Sequence, residues 1–231
     1  MGQSINYKRE LFDLINDLTS ISPSIGFECD ETSVIVRKCD EERTIPYILT
    51  APIDYFGITE TIAFYNYPNF YSFMDMIKDA KLTYNGNVLN IDGATTKINY
   101  TLSDEGSIIN GPSSIAFNDA DYTFVLSRDE LDEIVKMKNL VKAKRCIITC
   151  DDDVVKLKMY TDETSHSVVK EFVGDNVSDI EDVIKFEVSA DRFSHLPPKR
   201  DYTVHIKKEK FMKFSLMHDE INLDIYSGSI D

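Results

Sequence analysis

Residues 134–146, IVKMKNLVKAKRC, carry five cations and no acid: Lys136, Lys138, Lys142, Lys144 and Arg145. Such a cluster suits contact with a polyanion, where ammonium and guanidinium groups displace the counterions around phosphates without reading a base. The island stands in a 231-residue chain of formal charge −15, so all other residues together carry −20. A surface of that sign repels nucleic acid and anionic membranes in general. Phosphate contact must then be local and placed by the fold. Cations near a helix C-terminus offset its dipole, which accounts for Lys136 and Lys138 but not for the three cations that follow.

Other residues able to do chemistry are scattered. Acids at 151–153, at 40–42, and at Asp179, Glu181 and Asp182 are spaced as solvated turns and strand ends, not as converging metal ligands. His166, His195, His205 and His218 are unclustered. No phosphate-binding glycine loop, nucleophile elbow, His-Glu-x-x-His or EF-hand pattern occurs. The expectation is a protein that is not an enzyme and uses no metal and no cofactor. Cys29, Cys39, Cys146 and Cys150 lack zinc spacing and read as free thiols in a reducing compartment. There is no secretory apolar segment and no run near the roughly 18 apolar residues that span a bilayer. The chain is therefore expected inside a cell with no membrane contact. The aromatic-rich stretch FYNYPNFYSF, residues 64–73, reads as core packing in preference to base stacking.

The elements that would position these residues occur twice. With a constant offset of 120 and no gap, the run from Arg9 lies over the run from Asp129, matching Leu11 with Leu131, Leu14 with Ile134, Ile15 with Val135, Phe27 with Ile147 and Val34 with Val154. Further on, Phe64 matches Phe186. Leu11, Leu14, Ile15 and Leu18 form one helical stripe, with Asn6 as its cap. Ser127 and Glu130 form a capping box for a helix carrying Leu131, Ile134 and Val135. Pro68 suits the first turn of a helix through Met74, Met76 and Ile77, and a short fourth helix around Phe193 is stopped by Pro197-Pro198. Runs rich in β-branched and aromatic residues between them read as strands, with Asn85-Gly86 a hairpin turn. The reading is α+β: two domains of one topology, 1–112 and 113–231, each with antiparallel sheets and two short helices on one face, joined by a connector over 103–121.

If the helices share a face, more cations gather there. Lys8 and Arg9 lie on the first helix, Lys78 and Lys81 at the end of the second, and Arg128 at the start of the third. Arg192, Lys199 and Arg200 surround the fourth. Together with the island they would form a stripe for a sugar–phosphate backbone, although Asp13, Asp17, Asp75 and Asp132 ride the same helices.

These segments resemble a known family. The opening helix NYKRELFDLINDLTSISPSI, the stretch ITETIAFYNYPNFYSFMDMI followed by LTYNGNVLNI, the second opening YTFVLSRDELDEIVKMKNL and the closing DYTVHIKKEKFMKFSL are similar to the DNA polymerase sliding clamps, or processivity factors, of T-even-like bacteriophages. More distantly they resemble all ring-shaped clamps. The resemblance covers essentially the whole chain. It implies a duplicated clamp fold, with sheets outside and short helices lining the hole of a head-to-tail homotrimeric ring around double-stranded DNA of any sequence. It implies as partners a replicative DNA polymerase, an ATP-dependent clamp loader and late-transcription proteins, in the cytoplasm of an infected bacterial host. Partner peptides would enter an apolar pocket near the connector. Lys136 matches a basic position on a hole-facing helix, as do Lys8 or Arg9 and Lys78. The rival readings are a protein-binding assembly module without a DNA role, an acidic DNA mimic and a metal-dependent enzyme.

Overall fold

The computed structural model describes the whole chain except residues 1, 2, 6, 78, 109, 163–165, 179 and 231. Asn6, Lys78 and Asp179 thus lie outside the described residues. The chain divides into two compact units, 1–43 with 47–113 and 218–222, and 44–46 with 114–217 and 223–231.

The first unit runs β1 (Gln3–Ile5), α1 (Arg9–Leu18), β2 (Ile25–Cys29), β3 (Ser33–Lys38), β4 (Tyr47–Pro52), β5 (Ile62–Phe64), α2 (Tyr67–Met76), β6 (Lys81–Tyr84), β7 (Val88–Asp92) and β8 (Lys97–Thr101). Its strands form two antiparallel arrays, β1-β6-β7-β8 and β5-β2-β3-β4. The predicted stripe of α1 is buried whole, with Phe12 added to it. The helix starts after Lys8, whose extended backbone (φ −100°) caps it without a side-chain bond. In α2 the cap is Asn66, whose Oδ1 accepts from the Asn69 N–H at 3.2 Å, with proline in the first turn as expected. Met74 and Ile77 are buried, but Met76 points out and is 64% exposed.

Between these layers sits an aromatic core. Phe12, Phe27, Phe56, Phe64, Tyr67 and Phe70 are all enclosed, with ring centroids 4.5 Å apart for Phe27–Phe56 and 4.7 Å for Phe64–Phe70. Most of the aromatic-rich stretch is core, as its composition suggests; Tyr65 alone among its rings stands well out into solvent. At the Asn85-Gly86 turn, Gly86 takes φ +71°, a backbone that L side chains resist.

The second unit runs β9 (Tyr122–Leu126), α3 (Arg128–Val141), β10 (Arg145–Asp151), β11 (Val154–Tyr160), β12 (Ser167–Val173), β13 (Asp175–Asn176), β14 (Ile184–Ser189), β15 (Tyr202–Lys207), β16 (Phe211–His218) and β17 (Ile221–Gly228). Its arrays are β13-β9-β15-β16-β17 and β14-β10-β11-β12. With β13 set aside, these repeat the arrays of the first unit strand for strand. In place of α2 stands a 3-10 turn, Ala190–His195, because only six residues separate β14 from the segment ending in Pro197-Pro198.

The gapless repeat holds along the helices, where Leu11 and Leu131, and Leu14 and Ile134, are all buried. It fails in the strands. Helix α3 has 14 residues against 10 in α1, so the strand after it slips by an odd number of residues. Phe27 is buried whereas its supposed match Ile147 is half-exposed, and Cys146, Ile148 and Cys150 supply the inward row. Val34 is likewise inward and Val154 is not.

Candidate nucleic-acid interface

Helix α3 opens with the predicted capping box. Ser127 Oγ accepts from the Glu130 N–H at 3.3 Å, and Glu130 Oε2 accepts from the Ser127 N–H at 3.0 Å. Leu131 and Ile134 anchor it, and it packs on β11, β12 and the 190–195 turn. That leaves 132, 133, 136, 139 and 140 as its exposed ridge, acidic at the start and basic from Lys136 onward. Glu133 is already bound by Lys170 of β12 at 2.5 Å.

The basic island divides by environment. Lys136 and Lys142 are exposed and have no ion-pair partner among the described residues. Lys142 ends the helix in the left-handed conformation, φ 51° and ψ 42°, a position that glycine usually takes. Lys138 is drawn down onto the 190–195 turn, with Nζ 2.5 Å from Asp191 and donating to Ser194 Oγ at 2.8 Å. Lys144 is exposed, and its backbone seats the start of β10 between Tyr160 and Ala190. Arg145 pairs with Glu187 at 2.8 Å and Asp162 at 3.2 Å, and its bond to Glu187 raises its pKa above the usual arginine value.

The other predicted cations are as varied. Arg128 is exposed at the first position of α3, with its N–H on Asp201 at 2.7 Å. Lys199 is exposed, also left-handed at φ 61°, and Arg200 is half-buried with Nε enclosed. Lys81 is exposed at the first residue of β6. Arg192, read from sequence as a surface cation, is only 8% exposed and donates from Nη1 to Thr44 Oγ1 at 3.0 Å; the tight 3-10 turn directs it inward, where it serves the fold. Lys8 is exposed with Nζ 3.7 Å over the Tyr55 ring. Arg9 is bound by Asp13 (2.6 Å), Asp75 (2.8 Å) and Tyr71 Oη (2.9 Å), stapling α1 to α2. Lys78 lies outside the described residues.

Sequence reasoning missed the residues that neutralise these cations: Asp191, Glu187, Asp162 and Thr44. No spacing signals them, because each comes from a different element. Among the described residues no three His, Cys, Asp or Glu side chains gather as metal ligands, and no described helix is long and apolar enough to cross a membrane.

No protein-family model and no curated protein matches the sequence. Solved structures do match the fold. Proliferating cellular nuclear antigen from Entamoeba histolytica superposes with a TM-score of 0.79 at 12% identity, over 100% of this chain and 98% of that one. The A. fulgidus protein of the same name, solved with the C-terminal region of FEN-1 bound, gives 0.76 at 13% over 100% and 99%. That from Thermococcus kodakaraensis gives 0.77 at 15% over 99% of each chain. The chain has the sliding-clamp fold.

In this clamp fold the connector residue Phe117 rests in an aromatic group with Phe211 (5.8 Å), Tyr226 (6.2 Å) and His205 (6.3 Å), beneath Lys213 at 5.2 Å. Burial and the Lys213 charge lower the His205 pKa. Beside Phe117, a cavity of about 490 Å³ is lined by Ala116, Asn118, Lys207, Glu209 and Phe211.

Proposed function

We propose that this chain is a sliding clamp: a non-catalytic subunit that closes head to tail with two copies of itself around duplex DNA and tethers a replicative polymerase. The observation that carries the reading is the clamp fold running over the whole chain, with near-complete coverage of each structure it matches. A ring holds DNA by enclosure, so it needs no tight phosphate grip, and weak contacts let it slide. A subunit charge of −15 discourages DNA from settling on the outer wall. Strand β12 ends its array, and an open strand edge favours pairing with a further copy.

An ATP-dependent loader would open the ring, and partner peptides would dock beside Phe117, where an apolar cavity meets the connector. The bound FEN-1 segment of the A. fulgidus structure supports peptide docking as a property of the fold. The narrower assignment, to T-even-like bacteriophage clamps at work in the cytoplasm of an infected bacterium with late-transcription proteins among their partners, rests on the sequence resemblance. Sedimentation equilibrium over a concentration series tests the ring. A subunit of 26.4 kDa predicts 79.2 kDa for three, falling toward the subunit mass on dilution. A monomer at every concentration, or a clean dimer, refutes the ring and favours a protein-binding assembly module.

A further inference from the structure

The helices of the two units differ in charge far more than in shape. After α3, residues 142–145 bring Lys142, Lys144 and Arg145, whereas the corresponding loop after α1, residues 19–24 (TSISPS), has no charge. Along α1, α2 and their ends stand five carboxylates, Glu10, Asp13, Asp17, Asp75 and Asp79, against Lys8, Arg9 and Lys78. Glu10, Asp75 and Asp79 are exposed. Arg9 is not available to a ligand while Asp13, Asp75 and Tyr71 hold it. Lys8 lies over Tyr55, which raises its pKa and fixes it as a cation of that contact. Lys81 and Lys199 occupy the same step of the repeat, each ahead of a matching strand, and so do not separate the units.

We propose, on the clamp reading, that of the three α-helices only α3 contacts duplex phosphate, through Lys136 and Lys142, and that the α1–α2 face holds the duplex off. Phosphates approaching within about 10 Å of that face at 0.1 M salt feel its carboxylates unscreened. Lys136 and Lys142 spend no charge on partners within the described chain, and they lie on the exposed ridge of α3 and at its end.

The test is fluorescence anisotropy of a labelled linear duplex against the intact protein over a salt series. Each phosphate contact contributes about 0.9 to the log–log salt slope. The double variant Lys136→Gln/Lys142→Gln should therefore lose about 2 from the slope and bind about tenfold more weakly at low salt. The single variant Lys136→Gln should lose about 1. Arg9→Gln should change neither quantity, and Asp75→Asn/Asp79→Asn should tighten binding. The inference is overturned if Arg9→Gln weakens binding as much as the lysine pair does, or if the lysine pair leaves the slope unchanged while the protein still sediments as a trimer. Wild-type protein that forms no trimer, or a trimer with no salt-dependent DNA binding, defeats the clamp reading itself and this inference with it.

Discussion

Replacing Phe64 by alanine should unfold the first unit at a far lower denaturant concentration. Phe64 is 0% exposed, and its ring meets Phe70 at 4.7 Å, Tyr67 at 5.4 Å, Phe27 at 5.5 Å and Tyr100 at 5.8 Å. Truncating a buried phenylalanine costs about 3–5 kcal/mol. Stiff aromatic neighbours cannot collapse into the space, and each lost ring pair adds about 0.5–1.5 kcal/mol beyond area, so the upper part of that range applies. A loss of about 4 kcal/mol is a large share of the roughly 5–15 kcal/mol that holds a domain together. With a urea dependence near 2 kcal/mol/M, the midpoint falls by about 2 M. The assay is urea unfolding followed by far-ultraviolet circular dichroism at one protein concentration, since self-association adds its own stabilisation. Phe64→Leu, which keeps most of the volume, should cost about 1.5 kcal/mol or less. Tyr65→Ala, one residue on and 72% exposed, should cost no more than about 0.5 kcal/mol. Equal losses at 64 and 65, or a shift at Phe64 below about 0.5 M, would refute the core assignment and return the stretch to base stacking.

Two further substitutions probe the scaffold. Ser127→Ala removes the cap of α3 and should cost about 1 kcal/mol in the same urea assay; an unchanged midpoint would show that the capping box contributes nothing. Lys38, 1% exposed and donating to Ser24 Oγ at 3.2 Å, has its pKa pulled down to about 8 by burial. The unfolded chain therefore holds more protons than the folded one between about pH 8 and the ordinary lysine value of about 10.4, and this lysine adds stability as pH rises through that window. Burial raises the thiols of Cys29, Cys146 and Cys150, which works in the opposite direction above the thiol range. The difference between wild type and Lys38→Met isolates the lysine: it should move in favour of wild type from pH 7.5 to 9.5, and a difference that is flat with pH would refute the assignment.

The parts of the fold written in local pattern were readable. The apolar stripe of α1, the Ser127–Glu130 box, the proline opening α2 and the Asn85-Gly86 turn each depend on residues within one or two turns of each other, and antiparallel strands follow from β-branched runs between tight turns. What needed three dimensions was not. A gapless comparison could not see that α3 is longer than α1, so its strand residues were placed on the wrong face. Six residues ahead of a proline pair gave a 3-10 turn where the apolar pattern suggested a helix. The cations show the limit most clearly: Lys136, Lys138, Arg145 and Arg192 look alike in sequence, yet one is unpaired at the surface, two are tied to carboxylates and one is buried on Thr44. Ion pairing is set by neighbours from other elements, and Asp191, Glu187 and Thr44 give no sign of themselves at a distance.

The loops holding Lys142 and Lys199 carry a tension of their own. Both lysines bend the chain in the left-handed sense, and every other non-glycine residue doing so, Arg43, Asp79, Asp152, Lys210 and Asp219, is charged too. An L residue there gives up about 1 kcal/mol relative to glycine. A search for sturdier variants would therefore find glycine at 142 and 199 early, and each success would discard a cation at the place where the DNA reading needs one. Hardening this protein and preserving its hold on DNA are competing aims at the same two positions.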